Sequence, residues 1–431
     1  MKHIAGGLQW AVFLIASSIA APIAIGHVFG MDAAETALFI QRTMFVLGLA
    51  CIVQAVVGHR MPINEGPAGL WWGIFVVYAG MVGVLYATKE DALQTLQSGM
   101  IYSGVLFILL AVLGLVGKMK KLFTPAVTFT YLMLLILQLS GTFVKGMLGI
   151  ENAGDAIDIR VVCGSIIIVI LMFIMMNHKV GWISRYSVLL AILIGWLLFL
   201  AIGKAPAISA LSEKVIDFPD ILVYGKPVWD GGMAVTALFI TLLLIANMMA
   251  SIRVMENLLK QSFSIETKDR VRQGSIASGI NHMLAGLFSA IGPVPISGSA
   301  GFVGATRMAS LKPFIIGSGI IVVMTLFPAV MATFAALPAP VAYAVTFAIF
   351  SKMVEMAFHE LSADPHQQQA YKVVAIGLML GVGLMFVPSD SFAKLPGLVA
   401  AILSNGLITG TITAVVIEQF LIWKNRRADR I

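Results

Sequence analysis

Apolar segments of about twenty residues recur along this 431-residue chain, and their length restricts what it can fold into. A helix needs roughly 20 apolar residues to cross a bilayer. Apolar residues make up 59% of the chain and charged residues 11%, whereas about a quarter of a soluble domain is charged. The net charge of +7 lies in short segments between the apolar runs, which disfavours a nucleic-acid-binding face. The chain is therefore predicted to be an integral membrane protein.

Thirteen of these runs are long enough to be membrane spans, and a shorter fourteenth run begins with glycines. The predicted spans are 8–29, 35–58, 68–87, 95–117, 122–145, 157–177, 182–203, 231–255, 271–292, 297–310, 314–337, 339–358, 370–388 and 396–423. The first of them is read as a retained span rather than a cleaved signal peptide, because no convincing cleavage site follows it.

The distribution of basic residues tests this count. With fourteen spans and an inner N-terminus, nineteen of the 28 Lys and Arg residues lie on the inner side and seven on the outer side. Basic residues concentrate in cytoplasmic loops, so both termini are predicted to be cytoplasmic and the protein to lie in the cell membrane. Without the run 297–310, the later basic loops would lie on the wrong side.

Several classes of function are disfavoured by what the sequence lacks. Cys51 and Cys163 lie inside apolar runs and are interpreted as small core residues, with no disulfide or metal site. No phosphate-binding loop of the Walker type is found, which disfavours ATP-driven transport. No paired carboxylates, metal-spaced histidines or Ser/His/Asp set lie at one depth, so no enzymatic activity and no cofactor is expected.

Two short polar motifs with similar sequences interrupt the apolar pattern. "MPINEGPAG" at 61–69 opens the third span, and "VPISGSAG" at 294–301 opens the tenth. With seven spans in each half, a second half built like the first must be inverted in the membrane. Transporters with inverted repeats bind substrate where paired helices are broken. The motifs therefore predict a binding site, the alternative being two ordinary loops.

The chain resembles a known family of transporters in six stretches. They are Gln9-Trp10, "GHRMPINEGPAGLWWG" at 58–73, "LFTPAVTF" at 122–129, "ANMMAS" at 246–251, "SGINHMLAGLFSAIGPVPISGSAGFVGATR" at 278–307 and "LSNGLITG" at 403–410. Their order and spacing resemble the nucleobase–cation symporter-2 family, also called the nucleobase–ascorbate transporters, and within it the bacterial purine permease branch.

The resemblance implies an all-α polytopic membrane protein with fourteen transmembrane segments in a seven-plus-seven inverted repeat. Residues 1–203 would form the first repeat, 204–230 an extracellular or periplasmic loop, and 231–431 the second repeat. Spans 3 and 10 would be broken by short strands. Spans 1–4 and 8–11 would form a core domain, and spans 5–7 and 12–14 a gate domain.

The resemblance also implies a function. The protein would import a purine-type nucleobase such as xanthine, urate or guanine by an elevator-like alternating-access mechanism. Coupling to H⁺ is favoured over coupling to Na⁺, and a homodimer in the lipid bilayer is expected, with no nucleic acid as partner.

Site residues are carried over one by one. Asn247 matches a base-binding glutamate of span 8, and Ser251 matches a polar residue one turn later. Gly298, followed by Ser299, matches a base-binding acid or amide of span 10. Gly69 matches an aromatic residue that stacks on the base. Three expected side chains are thus replaced in this chain.

Glu65 is the leading candidate to compensate, since no other acid lies next to either motif. An ionisable group inside a membrane is by default a functional hypothesis. Glu65 is predicted to hydrogen-bond a base N–H, to carry the coupled proton, or both. The structural alternatives are an ion pair with Arg60 or a cap on span 3.

The remaining candidate residues have structural interpretations beside the functional ones. Asn64 and Ser297 are assigned to the substrate site, and backbone capping is the alternative for the serine. Asn247 and Ser251 share a helix face at i, i+4 spacing, and interhelical packing is the alternative for Asn247. His282 is assigned to proton coupling, with packing as its alternative.

Aromatic and charged residues complete the set of expectations. Trp71 could stack on a flat heterocycle, whereas packing is the alternative for it and for Trp72. Lys352 and Glu355 are predicted to neutralise each other at i, i+3.

A different substrate class fits the same architecture. A sulfate-permease-like transporter of inorganic anions would also use paired broken helices. Glu65 argues against a bare anion at this place because like charges repel.

Overall fold

The computed structural model describes residues 2–119, 124–150, 156–206, 214–362, 364, 366–392, 395, 399 and 402–428, and the fold is predominantly helical. The elements in chain order are α1 (Lys2–Ser18), α2 (Ala20–Val28), α3 (Ala33–Val56), β1 (Glu65–Pro67), α4 (Gly69–Ala79), α5 (Lys89–Val112), α6 (Val116–Met119), α7 (Pro125–Met147), α8 (Ile159–Met176), α9 (Gly181–Arg185), α10 (Ser187–Ala201), α11 (Gly231–Phe263), α12 (Val271–Leu287), β2 (Pro293–Pro295), α13 (Gly298–Thr306), α14 (Leu311–Met324), α15 (Pro328–Ala335), α16 (Ala339–Ser362), α17 (Gln367–Met385) and α18 (Gly406–Ala428).

The described helices identify a multi-pass membrane protein. Among them, nine are long and apolar enough to span a bilayer, or ten if α14 and α15, which meet at a 90° bend, form one span. Helices α4 and α10 are apolar but shorter. Each predicted run has a helix at its place, although α18 begins only at Gly406 and residues 396–398, 400 and 401 lie outside the described residues. The count of fourteen crossings stays a prediction.

The two polar motifs meet in space. Strands β1 and β2 pair antiparallel, with Glu65 opposite Pro295 and Pro67 opposite Pro293. The pairing continues on both sides: Ile296 N donates to Asn64 O at 2.8 Å, and Ala68 N donates to Gly292 O at 2.9 Å. Backbone groups released by a helix break cannot stay unpaired in an apolar medium. Each break therefore supplies hydrogen-bond partners for backbone groups of the other.

Glycines bring helix backbones close together at the main crossings. A Cβ atom at Gly104 of α5 would lie 2.7 Å from the carbonyl oxygen of Gly279 on α12. A Cβ at Gly317 of α14 would lie 2.6 Å from Gly7 O of α1. In membrane proteins, where apolar side chains gain little by leaving lipid, small residues at such crossings let helices pack tightly.

Helix contacts divide the fold into two groups. In one, α5 packs on α11 and α12, α1 packs on α14, and α14 packs on α3. In the other, α16 packs on α7 and α8, and α17 packs on α18 and α7. A separate cluster of buried apolar side chains joins α7, α16, α17 and α18 in the second group.

Residues 214–230, here called the strap, cross the ends of several helices of the first group. Gln41 of α3 donates to Asp217 O at 3.0 Å, and Gln97 of α5 donates to Gly225 O at 2.8 Å. Leu222 N donates to Leu287 O of α12 at 2.8 Å, and Asp217 N donates to Leu326 O at 2.9 Å. In all four of these hydrogen bonds the strap takes part through its own backbone atoms.

Two predictions about individual side chains have clear outcomes. Cys51 is buried as predicted, but Cys163 is exposed on α8, so its assignment to the core was wrong. An apolar helix of a membrane protein is apolar on its outer face as well, and hydrophobicity alone does not separate the two faces. The neutralising pair is confirmed: Lys352 Nζ lies 2.5 Å from a Glu355 carboxylate oxygen.

The crossing of α17 and α18 generates a stability prediction. A Cβ at Gly381 would lie 2.7 Å from Gly406 O and 2.5 Å from Leu134 Cδ2, whereas nothing lies within 4 Å of one at Gly383. Overpacking costs about 1–3 kcal/mol. We expect Gly381→Ala to lower the melting temperature of detergent-purified protein, measured by size-exclusion chromatography after heating. The matched variant Gly383→Ala should leave it unchanged or raise it, since Ala favours helix over Gly. Equal melting temperatures in the two variants would contradict this packing.

Candidate substrate site

The strand pair brings together two of the predicted site residues from separate halves of the chain. Asn64 and Ser299 are both fully buried. Asn64 N donates to Ser299 Oγ at 2.8 Å, and Asn64 Nδ2 donates to Ser17 Oγ of α1 at 2.7 Å. These polar groups are therefore engaged by the protein itself, and they hold the two breaks and α1 in register.

Glu65 lies at the start of β1 and is 0% exposed. Its backbone N–H donates to Cys51 Sγ of α3 at 3.2 Å. Among the described residues, neither of its carboxylate oxygens has a hydrogen-bond partner. An isolated buried carboxylate is very costly in free energy when it is charged. Such a group is stable when it is protonated or when it accepts hydrogen bonds from a ligand.

Neither structural alternative for Glu65 is observed. Arg60 Nε donates to Val56 O at 2.8 Å, at the end of α3, and makes no ion pair with Glu65. Helix α4 is capped by Ala68, which makes no side-chain capping bond. Glu65 thus stays unpaired by the described part of the chain.

The two polar residues of α11 are in different environments. Ser251 is buried and donates from Oγ to Pro295 O at 2.8 Å, which ties α11 to β2. Asn247, one turn earlier, is exposed, and no hydrogen bond of its side chain is found among the described residues. The i, i+4 spacing places the two side chains on adjacent parts of the helix, but only Asn247 is available to a ligand.

Helix α13 begins directly after β2 and presents an open glycine face. Gly298 and Gly301 are exposed, Ser297 is half-buried, and nothing lies within 4 Å of a Cβ built at Gly301. The first N–H groups of a helix have no partner within it, and its N-terminus carries a partial positive charge. Acceptor atoms of a ligand are therefore favoured at the start of α13.

Helix α4 also begins beside the strand pair, but its glycine face is covered. A Cβ at Gly69 would lie 3.7 Å from Phe350 Cζ and 3.9 Å from Leu135 Cδ2. One turn later, a Cβ at Gly73 would lie 2.8 Å from Leu135 Cδ1. Side chains of α7 and α16 thus rest on α4 at these two glycines.

Trp71 and His282 pack together, away from the glycine face of α4. Trp71 is fully buried, and its ring atoms lie 2.7 and 2.8 Å from a Cβ built at Gly292. The His282 ring lies 6.3 Å from the Trp71 ring and 4.9 Å from that of Phe107. His282 Nδ1 lies 2.9 Å from Ser278 O, while Nε2 has no partner among the described residues. Both residues occupy packing positions, with one free histidine nitrogen.

Sequence reasoning missed Cys51, Ser17 and Phe350 as parts of this region. Cys51 and Phe350 are ordinary members of apolar runs, so no sequence signal distinguishes them. Ser17 follows an apolar run near the end of α1, where a hydroxyl could have been suspected of bonding to a neighbouring break. Within the described residues no group of three His, Cys, Asp or Glu could hold a metal ion.

Comparison with known proteins adds independent findings. A model described as "Permease family", for xanthine and uracil permeases, matches residues 1–390. The chain is 42% identical over 436 residues to a protein of Bacillus subtilis (strain 168) named as a putative purine permease, YwdJ, covering all of this chain and 98% of that protein. It is 23% identical to the xanthine permease of the same organism, covering 97% of this chain and 93% of that protein.

The fold is also found among solved structures. The transmembrane domain of the cyanobacterial bicarbonate transporter BicA superposes with a TM-score of 0.68 at 14% identity, covering 93% of this chain and 98% of that domain. At this identity the likeness concerns the fold alone. Together with the permease model over most of the chain, these findings establish that the protein is a membrane transporter, not an enzyme, and that it belongs to the xanthine/uracil permease family.

Proposed function

We propose that the protein imports a purine-type nucleobase by proton symport and binds it beside the β1–β2 pair. The observation that carries the proposal is the unpaired, fully buried carboxyl group of Glu65 at the junction of the two breaks. Nucleobase transport is supported by relatives named as purine and xanthine permeases. A purine of the xanthine type offers ring N–H donors to Glu65 and carbonyl acceptors to helix N-termini.

In this proposal the site residues divide the recognition between them. Glu65 accepts a base N–H and carries the coupled proton. Asn247 supplies both a donor and an acceptor to an amide-like edge of the base. The exposed start of α13 at Gly298 and Ser297 supplies N–H groups to carbonyl oxygens. Asn64, Ser251 and Ser299 hold the scaffold through the bonds described above, and His282 is a second position for the proton.

A proton suits this site better than a sodium ion as the coupled cation. Sodium sites in transporters use several oxygen ligands from unwound backbone and side chains. Around Glu65, the carbonyl groups of Asn64 and Gly292 already accept strand hydrogen bonds. A carboxyl group can take up and release a proton without the several oxygen ligands that a sodium ion requires.

The packing pattern supports a seven-plus-seven inverted repeat with fourteen spans. When spans are numbered in order, the contact of α5 with α12 joins spans 4 and 9, and that of α14 with α3 joins spans 11 and 2. Moving each span seven places along the order of fourteen converts spans 4 and 9 into spans 11 and 2. The contact of α16 with α7, spans 12 and 5, converts into itself. The two helix groups then correspond to the core and gate domains, in a homodimer whose chain termini are cytoplasmic.

The different environments of the half-helices α4 and α13 support an elevator-like mechanism. In this proposal the structure represents the inward-open state. In the proposed topology α4 lies on the outer side of the site and α13 on the inner side. Gate side chains cover the glycine face of α4, whereas Gly298 and Gly301 of α13 and Asn247 are exposed. In the opposite state the gate would cover α13 and leave α4.

The alternative substrate class, inorganic anions, is less well supported. The likeness to a bicarbonate transporter concerns the fold, and a carboxyl group at the junction of the breaks would repel an anion when ionised.

The first test is transport itself. In a host lacking purine transporters, the protein should accumulate labelled xanthine, urate or guanine in a manner abolished by a protonophore. Glu65→Gln should lower the initial uptake rate about tenfold or more, since a hydrogen bond to a charged group contributes about 1.5–3 kcal/mol. Glu355→Gln, at an exposed paired carboxylate, is the matched control and should retain uptake. Uptake by Glu65→Gln that keeps the wild-type rate and protonophore sensitivity would remove Glu65 from the mechanism.

The second test concerns the open side. In a Cys163→Ala background, Gly301→Cys should react with a membrane-impermeant maleimide in inside-out vesicles, because the position is open. Gly69→Cys should be protected, since Phe350 and Leu135 cover it at ordinary contact distance. Xanthine should slow the labelling of Gly301→Cys. Equal labelling at the two positions, or the reverse preference, would contradict an inward-open state.

A further inference from the structure

An exposed apolar stripe on α5 ends at the strap. The side chains of Val105, Leu109 and Val112 are 50, 49 and 56% exposed. Their spacing of three or four residues places them on one face of the helix. Phe107, on the opposite face, is buried against α12, where its carbonyl oxygen accepts a hydrogen bond. The stripe is therefore the face that α5 presents to the bilayer, and Tyr102, three residues before Val105, continues it toward the strap.

Trp229 of the strap extends this stripe. Its ring centroid lies 5.5 Å from that of Tyr102, and the residue is 80% exposed. The other exposed apolar side chains of the strap are Val215, Ile216, Phe218, Ile221, Val223 and Val228. Exposed apolar patches mark sites that meet a membrane or another protein. Because Trp229 continues the bilayer-facing stripe of α5, lipid is the partner that this patch fits.

The strap also contacts its helices at the depth of the bilayer. Tyr102 lies seven residues inside the predicted span 95–117, and Gln41, which donates to Asp217 O, lies six residues inside the predicted span 35–58. At 1.5 Å per residue, these contacts lie about 9–10 Å along the helices from the predicted outer ends. Half of the hydrocarbon core is about 15 Å thick. In the proposed topology the strap therefore reaches the level of the outer leaflet.

The hydrogen bonds of the strap backbone meet the requirement of this environment. Lipid cannot satisfy exposed N–H and C=O groups, so irregular backbone at this level needs partners from the protein. Side chains of α5 supply several of them. Gln94 donates to Lys226 O at 2.9 Å, and Ser98 Oγ accepts from Val228 N at 2.9 Å. The hydroxyl of Tyr102 donates to Val228 O. Three polar side chains of α5 thus serve the strap backbone.

The charged residues of the strap place it at the boundary of the membrane rather than deep in the hydrocarbon. Lys214 Nζ and Asp217 Oδ1 pair at 3.0 Å, and Asp220 and Lys226 are exposed. The headgroup regions widen a bilayer from about 30 Å to about 40–45 Å. Trp and Tyr are enriched at this level, and long charged side chains extend from it toward water.

We propose that the strap is a membrane-interface segment whose apolar side chains, Trp229 foremost, insert among the phospholipids of the outer leaflet. The sequence predicts 204–230 as a loop outside the membrane, and the proposal gives its part 214–230 a lipid partner. It does not depend on the transported substrate and uses the proposed topology only to name the leaflet. Since the hydrogen bonds described join the strap to α3, α5, α12 and the end of α14, the strap stays with the first helix group when that group moves.

Spin labels along the strap test its depth. Phe218→Cys, Ile221→Cys and Trp229→Cys are each made in a Cys163→Ala background, where the remaining Cys51 is buried. The full chain is labelled with a nitroxide and reconstituted into vesicles of phosphatidylethanolamine and phosphatidylglycerol. Collision of the label with oxygen, which is enriched in lipid, is compared with its collision with a water-soluble nickel complex.

Two matched controls lie on α5. Glu90→Cys is at the exposed start of the helix, outside the predicted span, and reports water. Leu109→Cys is on the exposed stripe and reports lipid. We expect the ratio of oxygen to nickel collision at all three strap positions to exceed that of Glu90→Cys. The ratio should be highest at residue 229 and approach that of Leu109→Cys there. If one strap variant fails to insert, the other two decide.

Two results would overturn the proposal. Nickel collision equal to that of Glu90→Cys at the strap positions would place the strap in water. Low collision with both reagents would mean that a second copy of the chain or another protein covers the strap instead of lipid. Neither result bears on purine uptake by the same reconstituted protein, so the proposed function is tested separately.

Discussion

The pairing of two three-residue strands is the constraint on which the rest of this structure depends. A helix broken inside a membrane leaves backbone donors and acceptors that lipid cannot satisfy. Here the two breaks satisfy each other through β1 and β2, with further bonds from Asn64, Ser251 and Ser299. The pair fixes where α4 and α13 begin, and hence where two helix N-termini and the side chain of Glu65 meet.

Glu65 differs from the other polar residues of this junction because its side chain is unpaired within the described residues. Asn64, Ser251 and Ser299 form hydrogen bonds with other parts of the protein, whereas the Glu65 carboxyl group has no partner among the described residues. A membrane protein that only needed to fold would be more stable with an apolar residue here. The position therefore carries a cost in stability that a proton or a ligand would relieve, as the proposed coupling role requires.

The sequence predicts much of this fold and less of the site. The apolar runs, the basic residues and the repeated motif depend on the period and order of residues, and the helices and the strand contact follow them. The sequence predicted less well which side of a helix is buried. Cys163 is exposed, and Ser251 and Asn247 have different surroundings although they are spaced i, i+4 on one helix. In a membrane protein both faces of a helix are apolar, so composition does not mark the buried side. Phe350 is one of 25 phenylalanines and acquires a distinct place only through the tertiary contact of α16 with Gly69.

The strap also bears on the order in which the protein is assembled during synthesis. Its partners Gln41 and Gln97 belong to helices made before it, whereas Leu287 and Leu326 are made after it. Docking on α3 and α5 is thus available as soon as residues 214–230 emerge, while the carbonyl groups of the later helices are still to come. The strap can then serve as a template that receives the ends of α12 and α14, and so align the second half of the chain against a first half already in the bilayer.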